Sequence, residues 1–175
     1  MIDSSLLPLS SDHVRLRALE HKDAEAFAGG SADPLVREYG HLPQPNYTTD
    51  SVVKMIREEA TPGLERGDLA VLAIADSNDN FAGSLVLFKV TDDEAEVGFW
   101  LHPNFRGVGL SSSAVALAAQ LALRSGLVRL FARTAVENIA SQRVLAQAEF
   151  EETNRSADVA PSGEKLDLVH FQRNL

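Results

Sequence analysis

The sequence predicts a mixed α/β fold of the α+β kind, a mostly antiparallel sheet flanked by helices, on three observations. Residues 69–75, 82–90 and 95–101 are apolar or alternating segments separated only by short polar turns, which is the pattern of a three-stranded meander. After His102-Pro103, the residues Val108, Leu110, Ala114, Leu117, Ala118 and Leu121 recur at three- and four-residue spacing, the period of a helix. The tail then reads strand, helix, strand, strand.

Residues 13–19 (HVRLRAL) alternate Val14, Leu16 and Ala18 with His13, Arg15, Arg17 and Leu19, as a half-buried strand does. Residues 23–28 (DAEAFA) read as a short helix ending at Gly29-Gly30. Residues 39–47 (YGHLPQPNY) hold Pro43, Pro45 and both Tyr residues of the chain, and read as loop. Thr49 and Asp50 cap a helix with Val52, Val53, Met55 and Ile56 on its apolar face, which Pro62-Gly63 ends or interrupts. The meander follows, turning at residues 76–80 (DSNDN) and again at Thr91-Asp92-Asp93. The long helix ends near Ser125-Gly126; residues 129–136 are strand, 138–148 helix, and 150–155 and 166–171 the last two strands.

At 175 residues the chain has the length of a single domain, 1–175, able to bury roughly 70% of its unfolded surface without staples. It has no Cys, which excludes thiolate catalysis, zinc fingers and iron–sulfur clusters. The net charge of −9 and pI near 5.0 argue against nucleic-acid or anionic-membrane partners, which need clustered Lys and Arg. The first ten residues lack the basic start and long apolar middle of a signal peptide, so the chain reads as cytoplasmic. The longest nearly apolar stretch, 114–123, contains Gln120 and is far shorter than the roughly 20 residues of a membrane span. The five His residues show no i, i+4 pair and no cluster with acids, so no metal site is expected.

The chemistry is concentrated in residues 100–113 (WLHPNFRGVGLSSS), where a strand turns through Pro103 into Arg106-Gly107-Val108-Gly109 and then into a helix. The first amides of a helix have no intrahelical partners and carry the positive end of its dipole, so such a junction favours a phosphate. Gly107 and Gly109 let the backbone approach, Arg106 adds a charge, and Ser111 to Ser113 add hydroxyls without bulk. A dinucleotide fingerprint fits poorly: Ser112 stands where its third Gly belongs, and Leu130 near its acidic position. A P-loop needs Gly-Lys, and the chain has none.

Arg106-Gly107-x-Gly109-x-Ser111 after an antiparallel strand is similar to the acetyl-coenzyme A motif of the GCN5-related N-acetyltransferases (GNAT). Asn138-Ile139-Ala140-Ser141 with Leu145 and Phe150 resembles the N-x-x-S-x-x-x-L…F segment of the branch that includes the bacterial ribosomal-protein N-terminal acetyltransferases. The strand AEVGFWL at 95–101 with Pro103 resembles that branch too, and the likeness runs in order from His13 to Phe171. The chain departs from the pattern at Ser113, where an acidic residue is frequent, and at Glu149, where the family has a Gly. Without that Gly, Glu149 must take another geometry or bear the cost of a left-handed conformation.

The resemblance implies a single-domain GNAT fold, splayed near the end of the 95–101 strand so that acetyl-CoA, a co-substrate, enters between it and residues 129–136. It implies that backbone groups around Phe99 and Leu101 pair with the pantetheine arm, and that Arg106, Gly107, Val108, Gly109, Leu110 and Ser111 hold the pyrophosphate. It further implies that Asn138 contacts the pantetheine or positions the thioester, that Ser141 protonates the leaving thiolate, and that Glu96 is the base. The amine would attack the thioester directly in a ternary complex, needing a base only to take a proton from an ammonium.

Each role has a plainer counterpart in the sequence. Glu96 alternates with Glu94 and Gly98 as on a solvated strand face, Ser141 is a small helix residue, and Glu58, Glu59 and Glu65 read as a wet helix face. Trp100, the one Trp, shares a nominal face with Glu96 and either lines an acceptor site or packs in the core. The 39–47 loop with Tyr39 and His41 suits an acceptor lid, or a surface loop packed by its own Tyr residues. The expected acceptor is a protein N-terminus, with a small cationic molecule such as a polyamine, aminoglycoside or amino-acid derivative as the competing class. A coenzyme A-binding module without activity is the third reading. An edge strand near the carboxyl terminus offers a surface for a homodimer by fold analogy.

Overall fold

A computed structural model describes residues 1–160 and 162–175. Eight strands form one sheet: β1 (Leu9–Ser10), β2 (Val14–Ala18), β3 (Ala70–Asp76), β4 (Phe81–Phe88), β5 (Glu94–Leu101), β6 (Arg129–Ala135), β7 (Glu151–Val159) and β8 (Lys165–Asn174). Their order is β1-β2-β3-β4-β5-β6-β8-β7. Every pairing is antiparallel except β5 with β6, so the meander and the mostly antiparallel sheet read from the sequence are present.

The α-helices are α1 (Ala24–Ser31), α2 (Pro34–Tyr39), α3 (Thr49–Met55), α4 (Thr61–Arg66), α5 (Leu110–Arg124) and α6 (Ile139–Gln147). One face of the sheet packs Leu16, Leu72, Leu85, Val97 and Leu130 against Ala114, Leu117, Ala118 and Leu121 of α5. The other face carries a second core of Phe27, Val36, Val52, Met55, Ala73, Phe81 and Trp100 under α1 to α3. Phe27 stands edge-on to Trp100, ring centroids 5.1 Å apart at 88°.

Three local expectations are corrected. The first helix does not stop at Gly29-Gly30 but runs to Ser31; a Cβ on Gly30 would lie 2.7 Å from His102 and 2.8 Å from Trp100, so that glycine permits a close approach. A further helix, α2, begins where Asp33 accepts hydrogen bonds from the Leu35 and Val36 amides and Pro34 fills the first turn, a start that suits both residues. The next helix is capped by Thr48 in a capping box with Ser51, one residue before the expected cap.

Of the two readings at Pro62-Gly63, the structure shows the interruption and not the end. A π-helical turn (Ile56–Ala60), in which the Thr61 N–H bonds to the Ile56 carbonyl, widens the coil just before the ring that would otherwise clash with the preceding turn. The helix then ends at Gly67, φ 76°. Glu149 follows α6 with φ 62° and bears the left-handed conformation. Arg173 of β8 braces this exit, donating to the Ala148 carbonyl and to the Glu149 carboxylate, each at 2.7 Å.

Candidate functional site

Strands β5 and β6 pair at Glu94–Arg129, Ala95–Leu130 and Glu96–Phe131 and no further. The sheet therefore opens at Glu96, earlier than the strand end at which the splay was expected. The His102 N–H bonds to the Ala82 carbonyl, so two-residue alternation turns the N–H and C=O of Phe99 and Leu101 away from β4 and into the opening. An extended ligand arm can bind these groups as an added strand.

At the same end of the sheet, Arg106 leads into Gly107 and Gly109, with φ 79° and 80°, a backbone conformation that a side chain would strain. The first intrahelical bond of α5 runs from the Ser113 N–H to the Gly109 carbonyl, leaving the amides of Leu110, Ser111 and Ser112 without one. Ser112 Oγ donates back to the Gly109 carbonyl at 3.1 Å. Val108 is exposed. The result is a row of outward amides at the positive end of a 15-residue helix, a built anion cradle. Arg106 donates to Asp33.

Across the opening, Asn138 caps α6. Its Oδ1 accepts from the Ser141 N–H at 3.1 Å and its Nδ2 donates to Ser141 Oγ at 2.9 Å. The hydroxyl proton of Ser141 is thus left to point elsewhere. Gln142 Nε2 donates to the Val136 carbonyl at 2.8 Å and fixes the junction between β6 and α6.

A cavity of about 300 Å³ runs through the opening. It reaches Ser141, Asn138, Val97 and Phe99 on one side and Glu96, Trp100, Phe27 and Tyr47 on the other. Glu96 is largely buried and held by two cations: Arg133 donates to Oε1 at 2.7 Å and to Oε2 at 3.3 Å, and Lys89 donates to Oε2 at 2.9 Å. Arg133 continues to Asp158 at 2.9 Å. Glu96 is not on a solvated face, and its carboxylate sits where the two strands part.

Tyr39, His41 and Trp100 all line this cavity. Trp100 does so while also packed in the second core, so its two sequence readings hold together. Burial holds the His41 imidazole below its ordinary pKa, with Glu164 acting against the shift, which leaves the ring neutral at pH 7. His41 Nε2 is buried without a hydrogen-bond partner among the described residues, and the residue has φ 46°. Burial also raises the Tyr47 phenol.

Sequence reasoning missed Arg133, Ser84 and Glu59 as cavity residues. Arg133 gave no signal, because an alternating strand shows which residues share a face but not what crosses to a neighbour. Glu59 belongs to the π-helical turn, which the regular helical period does not anticipate. The amide cradle, the open edge of β5 and the Asn138–Ser141 pair fit a long ligand with a pyrophosphate at one end and a thioester at the other. No helix among the described residues is long and apolar enough to cross a membrane, and no group of three or more His, Asp or Glu among them could hold a metal ion.

No curated protein matches the chain in sequence. Among solved structures, RimJ of Mycobacterium smegmatis in complex with CoA-disulfide is similar with a TM-score of 0.81 at 21% identity, over 92% of this chain and 81% of that one. The ribosomal-protein-S5-alanine acetyltransferase of Vibrio fischeri is similar at 0.82 and 16% identity, over 96% of each chain. The spermidine N-acetyltransferase of Vibrio cholerae, solved with CoA and spermine, gives 0.77 at 17% identity, over 94% and 96%. Residues 13–151 match the family model described as an acetyltransferase (GNAT) domain. With most of its length inside that match, the chain belongs to the GNAT acetyltransferases.

Proposed function

We propose that this acetyl-CoA-dependent N-acetyltransferase acetylates the N-terminal α-amine of a protein. The observation that carries the reading is a continuous cavity through the fork of β5 and β6, which has Asn138 and Ser141 at one end and Glu96 and the 39–47 loop at the other. Arg106 and the backbone of Gly107, Val108, Gly109, Leu110 and Ser111 hold the pyrophosphate, and the backbone of Phe99 and Leu101 takes the pantetheine arm. The cofactor supplies an acetyl group activated as a thioester, and the amine reaches it directly in a ternary complex.

Glu96 receives the proton of the incoming ammonium through a water, on an oxygen lone pair left beside the hydrogen bonds from Arg133 and Lys89. Ser141 keeps its hydroxyl proton available for the departing sulfur, because its Oγ accepts from Asn138. Trp100, Tyr39 and His41 form the rim that receives the acceptor. Likeness to the S5-alanine acetyltransferase supports a protein N-terminus.

A second reading, a small cationic acceptor such as a polyamine, rests on Glu59. It lines the cavity, and among the described residues the neighbouring cations Lys54 and Arg57 pair with Glu58 instead. The likeness to the spermidine enzyme agrees with that reading. The test is thiol release from acetyl-CoA with a panel of short peptides of differing N-termini against spermidine, spermine and aminoglycosides. Peptide turnover with kcat/KM at least tenfold above any polyamine supports the first reading; the reverse order establishes the second. No thiol release with any amine, with cofactor binding intact, would leave a non-catalytic coenzyme A-binding protein.

A further inference from the structure

The Arg106 guanidinium donates through Nη2 to Asp33 Oδ1, and the side chains are 35% and 16% exposed. Asp33 does a second job in the same place, since its Oδ1 caps α2 by accepting from the Leu35 and Val36 amides at 3.1 and 3.2 Å. Helix α2 ends at Tyr39 and runs directly into the loop that lines the acceptor side of the cavity. One carboxylate therefore ties the anion cradle to the acceptor loop.

We propose that Asp33 is a positioning residue that competes with the cofactor's pyrophosphate for Arg106, so that cofactor binding unties α2 and the acceptor loop from the cradle. This rests on the pyrophosphate assignment made above. The charge requirement is simple: a carboxylate and a pyrophosphate cannot both sit close to one guanidinium without repelling each other, and Arg106 is the cation that Asp33 is paired with. Arg106 turns from one anion to the other, and Asp33 stays on the helix amides that it already caps. The acceptor loop is thereby held in one position before the cofactor arrives and set free to close on an amine afterwards.

The substitution Asp33→Asn separates the two jobs, because Asn caps a helix about as well as Asp but carries no charge to offer Arg106. Calorimetric titration with acetyl-CoA should show binding about two- to fivefold tighter than wild type at low ionic strength, the range of an exposed ion pair, with the gain shrinking as salt is added. Acetyl-pantetheine, which lacks the pyrophosphate, should bind both proteins equally. Hydrogen exchange of the variant without cofactor should be faster than wild type across residues 34–47. Asp33→Ser, which also caps, repeats each measurement should the Asn variant fold poorly.

Unchanged or weaker acetyl-CoA binding by the variants overturns the proposal. So does an equal gain for acetyl-pantetheine, or exchange over 34–47 that matches wild type. If wild-type protein binds acetyl-CoA and acetyl-pantetheine equally well, the pyrophosphate assignment itself is wrong, which separates failure of that reading from failure of the competition.

Discussion

Arg133 of β6 grips the Glu96 carboxylate of β5 across the point where the two strands stop pairing, with Nε 2.7 Å from Oε1. Both side chains are nearly buried, at 13% and 10% exposed, so the pair is shielded from solvent, and its loss leaves Glu96 with Lys89 alone or Arg133 with Asp158 and the Val159 carbonyl. Removing either partner therefore removes a tie across the fork. A double-mutant cycle of Glu96→Gln and Arg133→Met, read by urea unfolding, should give a coupling energy of about 0.5–3 kcal/mol. Strict additivity would show that the pair does not brace the fork.

The proton-transfer roles make a kinetic prediction. Glu96→Gln and Ser141→Ala should each lower kcat by on the order of 10²-fold while acetyl-CoA affinity stays near wild type. Turnover at the wild-type rate in both variants would remove these assignments.

Cofactor affinity should depend on Arg106. Arg106→Ala is expected to weaken acetyl-CoA binding by about 1–2 kcal/mol, the lower part of the range for a charged hydrogen bond because the side chain is part-exposed. Calorimetry measures this directly, and an unchanged Kd would mean that the cradle does not hold a phosphate.

The helix exit at Glu149 makes a prediction about stability. Glu149→Gly removes the left-handed strain of a non-glycine residue and keeps the bond from Arg173 to the Ala148 carbonyl. After the extra chain entropy of Gly, the urea midpoint should rise by the equivalent of about 0.5–1 kcal/mol. A fall would show that the bond from Arg173 to the Glu149 carboxylate outweighs the strain.

Acid sensitivity should centre on Asp79. Hydrogen bonds first from Lys22 and then from Arg17 hold its carboxyl down to about 2, against an ordinary value near 3.8. A depressed folded-state pKa stabilises the fold above the unfolded value, and that contribution is lost as pH falls through the folded value. Wild type should thus lose stability between about pH 4 and 2. Asp79→Asn, which tolerates the φ of 64° found there, should be less stable at pH 7 and show a shallower loss over that window. Parallel curves for the two proteins would exclude this role.

Much of this architecture was legible because period and punctuation report local physics. The alternation at Val14, Leu16 and Ala18, the helical spacing from Leu110 to Leu121, and the two glycines beside Arg106 each have one economical reading. The rest depended on what lies across space. Nothing near Gly30 in sequence announces that Trp100 and His102 will press on it, and nothing near Glu149 points to Arg173. Asp33-Pro34 is a readable start for α2, but a helix of six residues is too short to show a helical period. The π-helical turn that brings Glu59 to the cavity breaks the very period by which helices are read.

The cavity lies across the sheet, in contact with residues of both faces, and this gives the reaction a traffic pattern. A donor entering beside α5 and an acceptor entering beneath the 39–47 loop need not share a doorway, nor wait for one another to leave. Steady-state plots of such an enzyme should intersect instead of running parallel. Spent donor should inhibit competitively against fresh donor and not against the amine. A bulky acceptor, even a whole protein, could dock at its own entrance without ever obstructing the exchange of cofactor at the other.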